Sequence, residues 1–352
     1  MRHLCFLTAL ALVTSACHDV EAVALDSGDG TTGDSDTGEP GPDTGEPDPD
    51  PDPDPDPDPD PDPDPDSDPD PDPDPESFCE EGLVSVQTQE QLDALDGIRC
   101  VDGTLRLGGS ITDLSPLSDL ERVSGTLEIR NAVYLDSLDG LGSLVDATGI
   151  DVIGAFALES LAGMGPVESL QRLNLDTNPK LVDLHGLEGL WTVEDLRVHG
   201  CTSLESLAGL ESIVYALDLE LSGLPQLESM DALGGLAAAL RIDIVDAPAL
   251  SDLGALSEIE SLEYLRLAED DGLVGLDGLE NLAEVDGILS VEQMGQLENL
   301  DALSNLVWGG YQVELLDNPV LPECAVDDLE QQLYDAGWDG KFQSSGNAGT
   351  CP

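Results

Sequence analysis

"LQRLNLDTNPKLVDLHGL", residues 170–187, holds two apolar periods in one short stretch. Leu173 and Leu175 alternate with polar neighbours, which is the period of a strand that buries one face. Leu181, Leu184 and Leu187 then recur at every third residue. That spacing suits 3₁₀-like or extended arcs, whereas an α-helix would mix threes and fours. A unit of this size cannot bury its own leucines, so it must stack on copies of itself.

The copies are present. Leu135, Leu158, Leu181, Leu204, Leu227, Leu250 and Leu273 form one column with a step of 23 residues. Leu138, Leu161, Leu184, Leu207, Met230, Leu253 and Leu276 form a second, and the column from Leu141 through Met164 to Leu279 keeps the same step. An alternating pair precedes each set, as in Leu127/Ile129, Ile150/Val152, Leu196/Val198 and Ile242/Ile244. Further pairs fit at Leu105/Leu107, Leu289/Val291 and Val313/Leu315 with spacings of 22 and 24. Internal repetition at this period predicts a mainly β solenoid of about ten coils. With strands about 4.8 Å apart its length is roughly 45 Å.

"VSGTLEIRNAVYLDSLDGL", "LQRLNLDTNPKLVDLHGL" and "VDGILSVEQMGQLENLDAL" resemble the receptor L-domain, and "ITDLSPLSDL" at 111–120 resembles the internalin type of leucine-rich repeat. The resemblance covers about 79–352. It includes a Gly ahead of the strand (Gly103, Gly125, Gly287) and Asn-Pro after it (Asn178-Pro179, Asn318-Pro319). It implies a right-handed β-solenoid of the kind found in growth-factor receptors and bacterial surface lipoproteins.

Ahead of this unit the composition changes. "MRHLCFLTALALVTSAC" has a basic start at Arg2, an apolar run and small residues before Cys17, which reads as a secretory signal too short to span a membrane permanently. "TSAC" resembles the bacterial lipobox. Residues 1–16 are then a lipoprotein signal peptide and Cys17 the lipid attachment site, with a cut after Ala24 in "AVA" as the competing site. The acyl chains implied by that resemblance give a stable anchor, most simply in an outer membrane facing the cell surface.

Residues 17–78 hold 24 Asp or Glu and no Lys or Arg, mostly as an alternating Asp-Pro run. Such a chain cannot make a core and is expected to be disordered, sampling polyproline II at about 3.1 Å per residue. Thirty residues reach on the order of 90 Å. Carboxylates about 6 Å apart repel within the Debye length, so the run reads as a semi-rigid stalk. Nothing in it fixes several oxygens around one calcium ion.

The full chain has 75 acidic against 11 basic residues, a formal net charge of -64. This excludes nucleic acid as a partner and predicts a soluble monomeric body. Cys79 and Cys100 bracket the expected N-terminal cap, 79–103, and Cys324 and Cys351 the C-terminal cap, 321–352, with an amphipathic helix in "AVDDLEQQLYDAGW". Secretion favours disulfides, and locality selects pairing within each cap. Cys201 falls in the Asn/Cys position of a leucine-rich repeat, five residues after Leu196, as Asn178 follows Leu173. It is expected to be structural.

Chemistry-bearing motifs are sparse. His185 and His199 have no HExxH or CxxC partner, and no Gly-x-Ser-x-Gly elbow or Gly-rich phosphate loop occurs. The chain is therefore not expected to be an enzyme or to need a metal or cofactor. The arginines are more informative. Arg106, Arg130, Arg172, Arg197, Arg241 and Arg266 all fall before, between or after an inward pair, and so share the outward face of the sheet. Cross-strand pairing with Glu128, Glu220 and Asp243 accounts for them structurally. A docking face for a protein partner accounts for them functionally. With Tyr264 the one aromatic placed on this face, a glycan is the weaker ligand. The functional expectation is a lipid-anchored recognition or adhesion protein, and the alternative is a structural envelope component without a specific ligand.

Overall fold

The computed structural model describes residues 79–351. The signal segment, Cys17 and the linker 17–78 lie outside the described residues. Twelve strands form one parallel sheet in which each pairs with the next in sequence. They are β1 (Cys79–Val86), β2 (Cys100–Gly108), β3 (Arg122–Arg130), β4 (Asp146–Ile153), β5 (Ser169–Asp176) and β6 (Thr192–His199). There follow β7 (Tyr215–Ser222), β8 (Arg241–Val245), β9 (Ser261–Ala268), β10 (Glu284–Glu292), β11 (Gln312–Leu316) and β12 (Lys341–Ser345). The chain is a β-solenoid of about ten turns with a period of about 23 residues.

Register advances by one coil, so each inward residue stacks on its counterpart. Leu173 faces Ile150 on one side and Leu196 on the other. The leucine columns line the interior, and Leu138, Leu161, Leu184 and Leu207 are fully buried. Stacking alone achieves this, since no coil has a second apolar layer of its own.

Strands begin earlier than the alternating pairs indicate. In β6 Val193 is buried, then Glu194 and Asp195 both leave the core before Leu196 returns to it. Two adjacent outward residues are the mark of a bulge, and the register between β3 and β4 shifts at the same point. Gly103, Gly125 and Gly287, expected ahead of strands, lie inside β2, β3 and β10.

The arcs behind the sheet come in two forms, and one residue decides which. Where the position two after the second leucine column is Gly, the backbone turns with positive φ, as at Gly140, Gly163, Gly186, Gly209 and Gly278. Where it is Pro116, Ala232, Ala255 or Ala302, a 3₁₀ turn forms instead. A Cβ on Gly186 would stand 2.1 Å from the Leu161 carbonyl oxygen, so the first form is closed to other residues. Both forms start from one device. A Ser, Asp or Asn side chain accepts from the N–H two residues on, as Ser137 does from Asp139 in the first form and Asp113 from Ser115 in the second, while Gly275 leaves the arc at Gly278 without it.

The caps close on the expected cysteine pairs, Cys79–Cys100 and Cys324–Cys351. Loops of 21 and 27 residues correspond to about 3 to 4 kcal/mol each in the loop-entropy account. The N-terminal cap adds α1 (Gln89–Asp93), whose start is fixed by a capping box between Thr88 and Gln91. At the other end α2 (Glu323–Asp335) lays Val326, Leu329 and Leu333 over the last coil. Trp338 joins them and donates its Nε1–H to the Gly310 carbonyl at 2.6 Å. The strand β12 has only Phe342 as a large apolar residue, so no alternating pair announces it.

Candidate functional site: the outward face of the sheet

Outward side chains form three rows across the coils. The central row runs Arg106, Glu128, Asp151, Asn174, Arg197, Glu220, Asp243 and Arg266. Arg172, Arg241 and Tyr264 lie in the row before it and Arg130 in the row after. All seven sequence-predicted face residues are thus placed on one surface. Arg122 joins them because β3 starts there, pairing with Asp102 at 3.5 Å. The alternating pattern gave no sign of this.

Every arginine among the described residues has a carboxylate within 4 Å. Glu128 Oε2 accepts from Arg106 Nε at 2.6 Å and from Arg130 Nε at 2.8 Å, and Arg130 Nη2 donates to Asp151 at 2.9 Å. Arg197 donates to Asp195 at 2.7 Å and stands 3.6 Å from Glu220. Arg266 donates to Glu292 at 3.0 Å, and Arg241 lies 3.6 Å from Asp218. The face is therefore a charge-paired lattice, not a bare cationic stripe. Exposed pairs of this kind are each worth at most about 1 kcal/mol.

Position within the lattice tunes the carboxyls. The Arg106 hydrogen bond holds Glu128 below its usual range, against the opposing pull of burial. Burial pushes Asp151 and Asp243 upward, with Arg130 and Arg266 respectively pulling back. Asp151 Oδ1 is buried without a hydrogen-bond partner.

Arg172 is the least committed of the face arginines. It is 55% exposed, and its one contact is Asp195 at 3.6 Å, a carboxylate already held by Arg197. It borders a recess of about 370 Å³ opened where Gly149 interrupts its row, with Thr126, Thr148, Gln171 and Glu194 around it. Tyr264 is covered by the Arg241 guanidinium, 4.7 Å from its ring centre, so that face of the ring is taken.

A second recess of about 650 Å³ lies by the C-terminal cap, with Asp286, Trp308, Tyr311, Asp339 and Lys341 on its wall. Sequence reading missed it because Trp308 precedes the alternating pair of its coil. Among the described residues no group of three or more His, Cys, Asp or Glu is arranged to hold a metal ion. His185 meets Glu188 at 3.1 Å, and His199 sits on the outward row beside Asp176 and Ser222.

No family model matches the chain, and no curated protein matches it. The fold itself defines a repeat protein, a parallel β-solenoid of stacked leucine-rich coils.

Proposed function

We propose that the chain is a lipid-anchored cell-surface recognition or adhesion protein that binds a protein partner through the outward face of the sheet, carried on its acidic stalk. The observation that carries this reading is Arg172. It is a half-exposed cation sharing an already occupied carboxylate, beside a recess, on the one surface where this acidic body gathers its arginines. A partner carboxylate there would complete the lattice without stripping a charge from an existing pair. The resemblance to receptor L-domains and internalin-type repeats supports the class, and the lipobox-like ending at Cys17 supports the anchor.

Crosslinking on intact cells tests the face. Recovery of a discrete protein with the native chain, and its loss with Arg172→Glu at unchanged thermal stability, is the expected result. Equal recovery with the variant discards the face. Recovery of no partner favours the second reading, a structural envelope component whose stalk and body set spacing and hydration. Labelling with a radioactive fatty acid, lost in Cys17→Ala, checks the anchor separately.

A further inference from the structure

Three residues after the last inward residue of the strand, four coils place an amide or thiol against a carbonyl of the coil before, where other coils carry Ala132, Ala155, Leu224, Ala247 or Met294. Asn178 donates from Nδ2 to the Val152 carbonyl at 2.8 Å and accepts on Oδ1 from Ala155 N–H at 2.9 Å. Asn318 repeats this with the Val291 carbonyl at 3.0 Å and Met294 N–H at 2.9 Å. Asn347 donates to the Leu315 carbonyl at 2.8 Å, and the Cys201 thiol faces the Leu175 carbonyl at 3.8 Å. In every case the acceptor belongs to the residue paired in register with that last inward residue.

Asp270 occupies the same place after β9. It has no solvent exposure, and its Oδ1 accepts from Ala247 N–H at 2.6 Å, as the asparagines do. Its Oδ2, the counterpart of the asparagines' Nδ2 once Oδ1 takes the same N–H, is buried and has no partner. Register sets Leu267 against Ile244, so the acceptor an asparagine would use here is the Ile244 carbonyl.

We propose that Asp270 is a proton-dependent tie between coils: neutral, its carboxyl O–H takes the asparagine's part toward Ile244, and charged, it loses that bond and loosens the turns around β8 and β9. The electrostatics agree with the geometry. Burial is the main cause that pushes this carboxyl up to about 7, and Asp246, Asp271 and Glu269 push the same way. Asp246 faces it from the preceding turn, Glu269 and Asp271 flank it in its own. The next turn supplies Gln293, Met294 and Gly295, none of them titratable. Arg241 and Arg266 are engaged by carboxylates on the outward face. Only the Ala247 N–H favours the charged form.

The sign follows from linkage. A carboxyl raised in the folded state leaves stability intact below its unfolded value near 3.8, and stability falls as pH climbs from there toward about 7, then levels off. About three units of separation sets a ceiling of roughly a thousandfold on the change in the closed-to-open equilibrium.

The test is thermal unfolding of the purified protein and of Asp270→Asn between pH 4 and 9, with amide-exchange protection of residues 246–273. The two should coincide near pH 4, and the variant should become progressively more stable up to about pH 7 and hold a constant advantage above it. General acidic repulsion is common to both and cancels. Parallel curves across the range would overturn the proposal. So would a carboxyl carbon resonance, present in the native protein and absent in the variant, that titrates near 4 in the folded state.

Discussion

Asn318 donates from Nδ2 to Oδ1 of Asn347 at 3.1 Å, tying the last repeat to the C-terminal cap side chain to side chain. Asn318 also bonds the Val291 carbonyl and Met294 N–H, and its own N–H reaches Asn347 Oδ1 at 3.3 Å. All of these groups are buried. Asn318→Ala should therefore destabilise the protein by about 2 to 4 kcal/mol, because it strands several polar groups at once. Urea unfolding measures it. A loss under about 0.5 kcal/mol would mean that water replaces the side chain and the tie is dispensable.

Gly186 has φ +112°, and an added Cβ would meet the Leu161 carbonyl. The coils with Ala255 and Ala302 at this place show the way out, since they turn through a 3₁₀ segment. Gly186→Ala is expected to convert its arc to that form at a cost of about 1 kcal/mol. Gly186→Val should cost about 3, because Ala255 and Ala302 are buried and a β-branched side chain overpacks that space without the preset φ that lets Pro116 take the same turn. Equal losses in the two variants, measured by urea unfolding, would show that the arc cannot convert.

This Gly/Ala alternation shows what was legible in the sequence and what was not. The step of 23 fixed the coil, the inward columns and the stacking, because burial admits no other use for so many evenly spaced leucines. Cap pairing was legible as well. The bulge was not, since two consecutive outward residues such as Glu194 and Asp195 look like ordinary loop before a strand. That hid Arg122 and Tyr215 at strand starts, and Trp308 beside its recess. The face arginines were placed correctly, but their partners depend on row and register. Asp195 and Asp218 share the row of Arg172 and Arg241, which the alternating pairs do reach, but the period alone does not say which carboxylate meets which arginine across the coils. Asp270 was passed over as one acid among 75, although it stands five residues after Leu265 as Asn178 stands after Leu173, and its burial then sets it apart.

Cys201 is fully buried, its thiol lies 3.8 Å from the Leu175 carbonyl, and burial pushes it up to about 11. At pH 8 roughly one thiol in a thousand would be ionised even if reagent could reach it. Labelling of the native protein with an aromatic disulfide should therefore be slow and limited by opening of the coil, then rapid in denaturant. Rapid labelling without denaturant would show that the coil opens easily at this point.

Glu128 offers a pH dependence of opposite sign to that of Asp270. The hydrogen bond from Arg106 comes first among the causes that hold its carboxyl low, and Arg130 adds to it. A depressed folded value contributes stability above the unfolded value near 4.5, and that contribution is lost as pH falls through the folded value. Glu128→Gln should be less stable than the native protein at pH 7, and the gap should close steadily as pH drops below about 4.5. Unfolding curves at pH 3, 4, 5 and 7 measure the gap. A gap that stays constant to pH 3 would assign the loss to packing of the altered side chain, and the two arginines would then add nothing through charge.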